Sequence, residues 1–138
     1  MLSAEGSGCT AKLADFGLAE MLVDGSSVRR SRAGTPSYLA PEIVEGKPYG
    51  TASDIWSLGC LLYVLLATEL PRFGPGSTLL ATSEGAPVDL KHVNASADCL
   101  DLLTKLLKRD PSDRLTIEAV LRHPFLQQKN DCWIEKYH

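Results

Sequence analysis

Asp15-Phe16-Gly17 places a carboxylate beside a glycine that is free to take either sign of φ. Such a carboxylate, delivered at the end of an extended run, can hold a hard cation through oxygen. The same triplet in an ordinary surface turn does nothing. The sulfur and imidazole groups point to no comparable chemistry. Cys9, Cys60, Cys99 and Cys132 contain no CxxC pair, and His92, His123 and His138 show no ligand spacing. Structural zinc and a disulfide framework are therefore not expected. Cys60 and Cys99 fall inside apolar helical patterns, where a reduced thiol acts as a small hydrophobe. With no signal peptide visible, a reducing interior, cytoplasmic or nuclear, is the default compartment.

The elements that would position Asp15 are readable from periodicity and turn chemistry. Ser3 to Gly8 is rich in turn formers, and Cys9 to Ala14 offers a short extended run, so the chain opens as a β-hairpin whose second strand leads into Asp15. The stretch Thr51 to Leu70 is the organising element. Thr51-Ala-Ser-Asp54 has the spacing of a capping box, and the apolar residues from Ile55 to Leu66 fall on every face of a helical turn, which predicts a helix buried on all sides. A membrane span needs about 20 apolar residues; this run is shorter and carries a charge at its start, so a central core helix is the reading. Trp56 and Tyr63 then need partners for their N–H and O–H. Pro71 to Gly76 must be a loop, because its prolines and glycines leave no room for regular structure. Ser96 or Asn94 caps a helix in which Cys99, Leu102, Leu103, Leu106 and Leu107 share one face. A turn at Asp110 to Leu115 leads into a last helix, Thr116 to Arg122, which Pro124 stops.

Length and charge set outer bounds. A chain of 138 residues with 44% hydrophobic residues is one domain's worth and able to form a core. Fourteen basic and 17 acidic residues leave a net charge of −3, too weak a field to argue for nucleic acid or an anionic membrane.

Asp15-Phe16-Gly17, Gly34-Thr35-Pro36-Ser37-Tyr38, Ala40-Pro41-Glu42 and Ser53-Asp54-Ile55-Trp56-Ser57-Leu58-Gly59, in this order, resemble the C-terminal lobe of a eukaryotic serine/threonine protein kinase. The resemblance runs from Met1 to about Leu126, and residues 127–138 read as a tail. It implies a mainly α fold: a kinase C-terminal lobe fragment with a short β-hairpin at the start and a buried central helix. It implies that Asp15 is the magnesium ligand bridging the ATP phosphates, with Phe16 and Gly17 completing the nucleotide-side motif. Residues 18–39 resemble the activation segment; a surface loop without a regulatory role would have the same polar composition. Ser31, three residues before Gly34 and surrounded by Arg29, Arg30 and Arg32, stands where many such kinases carry an activating phosphate. Ser26 and Ser27 compete with it, and a solvated basic patch is the plainer reading. Thr35 resembles the hydroxyl that organises the catalytic aspartate, and Tyr38 and Leu39 the wall beside the acceptor residue. Arg114 of Asp110-Pro-Ser-Asp-Arg114 resembles the partner of Glu42, against the alternative of an exposed turn arginine. The stretch from Ser77 to Val93 departs from the family pattern, so substrate preference is not readable from it.

The chain has no G-x-G-x-x-G loop, no V-A-I-K-type lysine and no H-R-D-x-x-x-x-N loop. Two functions follow. One is a part of a serine/threonine kinase that transfers the ATP γ-phosphoryl group to protein hydroxyls, is activated by an upstream kinase or by itself, and has its catalytic loop encoded just upstream of Met1. The other is a catalytically inactive kinase-like module that binds proteins.

Overall fold

The computed structural model describes residues 2–5, 8–19, 21–22, 35–73 and 87–127. Two strands open it, β1 (Leu2–Glu5) and β2 (Gly8–Ala11). They pair antiparallel in the register Leu2 with Ala11 through Glu5 with Gly8. The expected turn from Ser3 and the expected strand to Ala14 are both displaced: residues 3–5 join the ladder and β2 ends at Ala11. Ser, Ala and Glu are weak strand formers, but ladder hydrogen bonds come from the backbone, which their side chains do not prevent from pairing.

The helical part is built on α2 (Ala52–Ala67), preceded by the short α1 (Pro41–Val44) and followed by α3 (Ala97–Leu106), α4 (Ile117–Leu121) and α5 (Pro124–Gln127). The capping box at Thr51 does not form. Thr51 already has helical backbone angles, φ −57° and ψ −25°, and its side chain caps nothing. An N-cap hydroxyl reaches the N–H of the first turn from an extended backbone. Here the carbonyls of Gly50 and Thr51 accept from the N–H groups of Ser53 and Asp54 instead, at 3.0 and 3.1 Å.

Nor is α2 buried on every side. Trp56, Cys60 and Tyr63 are sealed in the core, but Leu58, Leu61 and Leu65 form a stripe at i, i+3 and i+7 that is 38%, 48% and 71% exposed. No described element lies over that stripe. The covered faces meet two apolar clusters. One gathers Ala40, Trp56, Tyr63, Phe73, Val93 and Leu103; the other joins Ile55 to Cys99, Leu102, Leu106, Val120 and Phe125. Helix α3 takes part in both, and its C-terminal end comes so close to Gly59 that an added Cβ would sit 3.0 Å from Leu106 Cβ and 2.8 Å from Cδ2 of Leu107, the residue that closes the helix.

Local chemistry ends the other elements. Ser96 and Thr116 cap α3 and α4 by accepting from the Cys99 and Ala119 N–H groups, both at 3.3 Å. Thr68 closes α2 in the left-handed region at φ 57°, its N–H donating to the Val64 carbonyl. Pro124, expected only to stop the last helix, also opens α5, since a proline at the first helical position lacks an N–H that would have had no partner there. Between α4 and α5, the His123 Nδ1 accepts from the Phe125 N–H at 3.3 Å. That leaves the Nε2 proton to donate to Asp101 at 3.0 Å.

Candidate functional site

Asp15 lies just past β2 with φ 64°, a left-handed conformation that aspartate tolerates better than most residues. Its Oδ1 accepts from the Gly17 N–H at 3.3 Å, and a Cβ built on Gly17 would lie 3.2 Å from that same oxygen. The glycine therefore lets the carboxylate fold back over the turn. The Ala19 N–H closes the turn on the Phe16 carbonyl at 3.0 Å, and the Phe16 side chain is 70% exposed. Asp15 is itself exposed, so its carboxylate is free to act as one oxygen ligand of a hydrated cation such as Mg²⁺. Among the described residues no cluster of three or more His, Cys, Asp or Glu side chains forms a metal cage.

A second region is assembled on α2. Thr35 is exposed with an extended backbone, and its carbonyl accepts from the Tyr38 N–H at 3.0 Å, starting a 3-10 turn over Pro36–Tyr38. Glu42, on α1, is buried against Arg114. The guanidinium meets the carboxylate through both nitrogens, Nη1 to Oε1 at 2.8 Å and Nη2 to Oε2 at 2.7 Å, with the arginine side chain 0% and the glutamate 5% exposed. The other donors of Arg114 reach backbone carbonyls: Nε to Lys108, Nη1 to Ala52 and Nη2 to Arg109, at 2.8, 2.8 and 3.0 Å. All five N–H groups of the fork are thus used. Ser53 Oγ donates to Glu42 Oε1 at 2.8 Å. Burial pushes the Glu42 carboxyl upward, but the hydrogen bonds from Arg114, from its own backbone N–H and from Ser53 outweigh it, and the group is held below the ordinary carboxylate range.

The ion pair rests on the central aromatic. Arg114 Cζ stands 5.1 Å from the centroid of Trp56, which also stacks on Phe73 at 5.2 Å with an interplanar angle of 15°. The partners the two core aromatics needed are found for one only. Tyr63 donates its hydroxyl to the Asp89 carbonyl at 3.0 Å, whereas Trp56 Nε1 has no hydrogen-bond partner among the described residues. Burial raises the Cys60 thiol to about 12 and raises Cys99 as well, which makes both inert.

The structure therefore joins Glu42 to Arg114 and seats Thr35 on the same α2 scaffold, through the 3-10 turn that packs on it. No hydrogen bond or ion pair among the described residues links Asp15 to that group. Ser31, Ser26, Ser27 and the arginines around Ser31 lie outside the described residues. Sequence reasoning missed the work done by Ser53 and Ser57, of which the latter donates to the Tyr38 carbonyl at 2.9 Å. Their i, i+4 spacing puts both on one face of α2 but does not tell which segment packs there. A surface cleft of about 780 Å³ borders Glu42 and is rimmed by Glu45, Lys47, Lys108, Arg109, Asp110 and Asp113. Its mixed charges favour neither an anion nor a cation.

The protein kinase domain matches residues 1–126, and the chain belongs to that family. Curated relatives narrow the class. Over 119 residues it is 41% identical to the serine/threonine-protein kinase PLK4 of Drosophila persimilis, covering 85% of this chain and 15% of that protein. Over 122 residues it is 40% identical to the PLK4 kinase of Nematostella vectensis, covering 84% and 12%. The corresponding protein of Drosophila melanogaster is 40% identical over 117 residues, covering 83% and 15%. The chain thus spans about 15% of the length of the fly relatives and 12% of the anemone protein. No helix among the described residues is long and apolar enough to cross a membrane.

Proposed function

We propose that this chain is the C-terminal-lobe part, over residues 1–126, of a serine/threonine protein kinase that transfers the γ-phosphoryl group of ATP to hydroxyls of protein substrates, with residues 127–138 as a tail. The observation that carries the reading is the presentation of Asp15: an exposed carboxylate in a left-handed turn at the exit of a β-hairpin, with a glycine beneath it. Asp15 would hold Mg²⁺, and Phe16 and Gly17 would shape the turn at the nucleotide. Bound Mg-ATP supplies the phosphoryl group and neutralises the charge that develops on it. Thr35 would steady the catalytic aspartate, which belongs to a loop this sequence does not contain, and Tyr38 with Leu39 would face the acceptor residue. Ser31 is the proposed site of activating phosphorylation by an upstream kinase or by the protein itself, with Arg29, Arg30 and Arg32 as clamps. We place it in an intracellular setting, where ATP is at hand and thiols such as those of Cys60 and Cys99 stay reduced.

The test is transfer of labelled phosphate to dephosphorylated casein by the complete chain that contains this sequence. Asp15→Asn is expected to lower kcat by at least about a hundredfold, the effect of removing one charge-stabilising group from a reacting phosphoryl or acyl centre. Turnover unchanged by Asp15→Asn would overturn the metal assignment. An unmutated chain that binds proteins but transfers nothing would favour the inactive binding module.

A further inference from the structure

Ser53 and Ser57 stand one turn apart on α2, and each reaches a different end of the same short segment. Ser53 Oγ donates to the Glu42 carboxylate at 2.8 Å. Ser57 Oγ lies 2.9 Å from the Tyr38 carbonyl and 3.2 Å from the Ser53 carbonyl. A serine in mid-helix ordinarily bonds back to the carbonyl four residues earlier, and the longer contact is that habit. The shorter one leaves the helix, and a hydroxyl has a single proton to give.

The Tyr38 carbonyl has no backbone donor among the described residues. The 3-10 turn uses the Thr35 and Pro36 carbonyls, and the start of α1 uses that of Ala40. Ala40, midway between the two grips, is 0% exposed. The segment from Tyr38 to Glu42 is therefore held at one end by Ser57, in the middle by burial, and at the other end by Ser53 with Arg114. Without the Ser57 hydroxyl, a half-buried carbonyl loses its donor and gains by turning toward water.

We infer that Ser57 is a positioning residue that fixes the loop Thr35–Leu39, and with it the surface offered to the acceptor hydroxyl of a protein substrate. This rests on the kinase reading above, in which Tyr38 and Leu39 face the acceptor.

The experiment compares Ser57→Ala and Ser57→Thr in the complete chain by amide hydrogen exchange and by steady-state kinetics with dephosphorylated casein. Ser57→Ala is expected to speed exchange of the Tyr38 and Leu39 amides by about tenfold, the value of one hydrogen bond. It should also raise KM for casein by about five- to tenfold while KM for ATP changes by less than about twofold, the sign of a role confined to acceptor binding. Ser57→Thr, which keeps the hydroxyl, should restore both. Unchanged exchange at Tyr38 and Leu39, exchange rising equally throughout α2 and α3, or the two KM values rising together would each overturn the inference. If the unmutated chain transfers no phosphate, the kinase reading fails, and the exchange measurement alone still decides whether Ser57 holds the loop.

Discussion

Arg114 ties Glu42, Ala52, Lys108 and Arg109 together through one side chain. Its fork is used at every N–H and lies against the Trp56 ring, so no smaller cation can replace it. Removing either member of a buried pair strands the other, at about 3–5 kcal/mol. In the complete chain, Arg114→Leu and Glu42→Ala are each expected to lower the melting temperature; if neither moves it, the pair is not structural. The pair also makes a pH prediction. The Glu42 carboxyl is depressed below its ordinary 4.5, so the folded state binds its proton less readily than the unfolded chain does. Its contribution is then fully present above about pH 4.5 and fades as pH falls through the lower, folded value. Glu42→Gln should flatten that acid limb of a melting-temperature profile, and an unchanged limb would assign it to other carboxylates. Thr68 is the opposite case, a β-branched residue held at φ 57°. Thr68→Gly should stabilise by about 1 kcal/mol, read as a higher denaturant midpoint. The sequence carried the partners Glu42 and Arg114 through the family resemblance. It did not carry Ser57, because the acceptor of a helix serine is decided by which segment packs on that face. Nor did it carry the Thr68 conformation, since nothing in Ala-Thr-Glu-Leu demands a left-handed residue.

Among the elements, α3 was legible in its apolar face and in its start, left open between Asn94 and Ser96, because its apolar positions repeat on one face. The structure chooses Ser96 and ends the helix at Leu106, one residue short of the last apolar position, Leu107. Helix α2 was legible in its place in the chain but not in how it starts, where it ends or what covers it: the stretch read from Thr51 to Leu70 stops as a helix at Ala67, where Thr68 turns left-handed. Thr-x-x-Asp says which side chains are at hand, whereas capping depends on the backbone of the preceding turn, which at Thr51 is already helical. All-round apolar composition likewise says what could be buried, while burial depends on which neighbours arrive. Where α3 does arrive, the fit is tight. Gly59 is the contact point, and a methyl there would meet Leu107 Cγ and Cδ2 at 2.9 and 2.8 Å and Leu106 Cβ at 3.0 Å. Alanine is the better helix former by about 1 kcal/mol, yet overpacking a filled interface costs about 1–3 kcal/mol. Gly59→Ala is therefore expected to lower the denaturant midpoint; a higher one would mean that Leu107 moves aside freely.

For the molecule as a whole, a mainly helical protein kinase domain was within reach of the sequence because its short motifs occur in a fixed order. The exposed stripe of Leu58, Leu61 and Leu65 and the bare Phe16 were not within reach, since periodicity cannot tell which apolar face finds a partner among the residues at hand. The Glu42–Arg114 bond has one more property, which concerns time. Its partners are 72 residues apart in the chain, and α2, α3 and the turn after α3 all lie between them. Closing so long a loop costs more chain entropy before the intervening helices have packed than after, so this contact is expected to form late. It should be among the last bonds made and the first broken. Glu42→Ala should then leave the refolding rate within about twofold of the unmutated value and speed unfolding by about two to four orders of magnitude. The buried arginine acts as a latch: it does little to help the chain find its fold and sets how long the chain stays there.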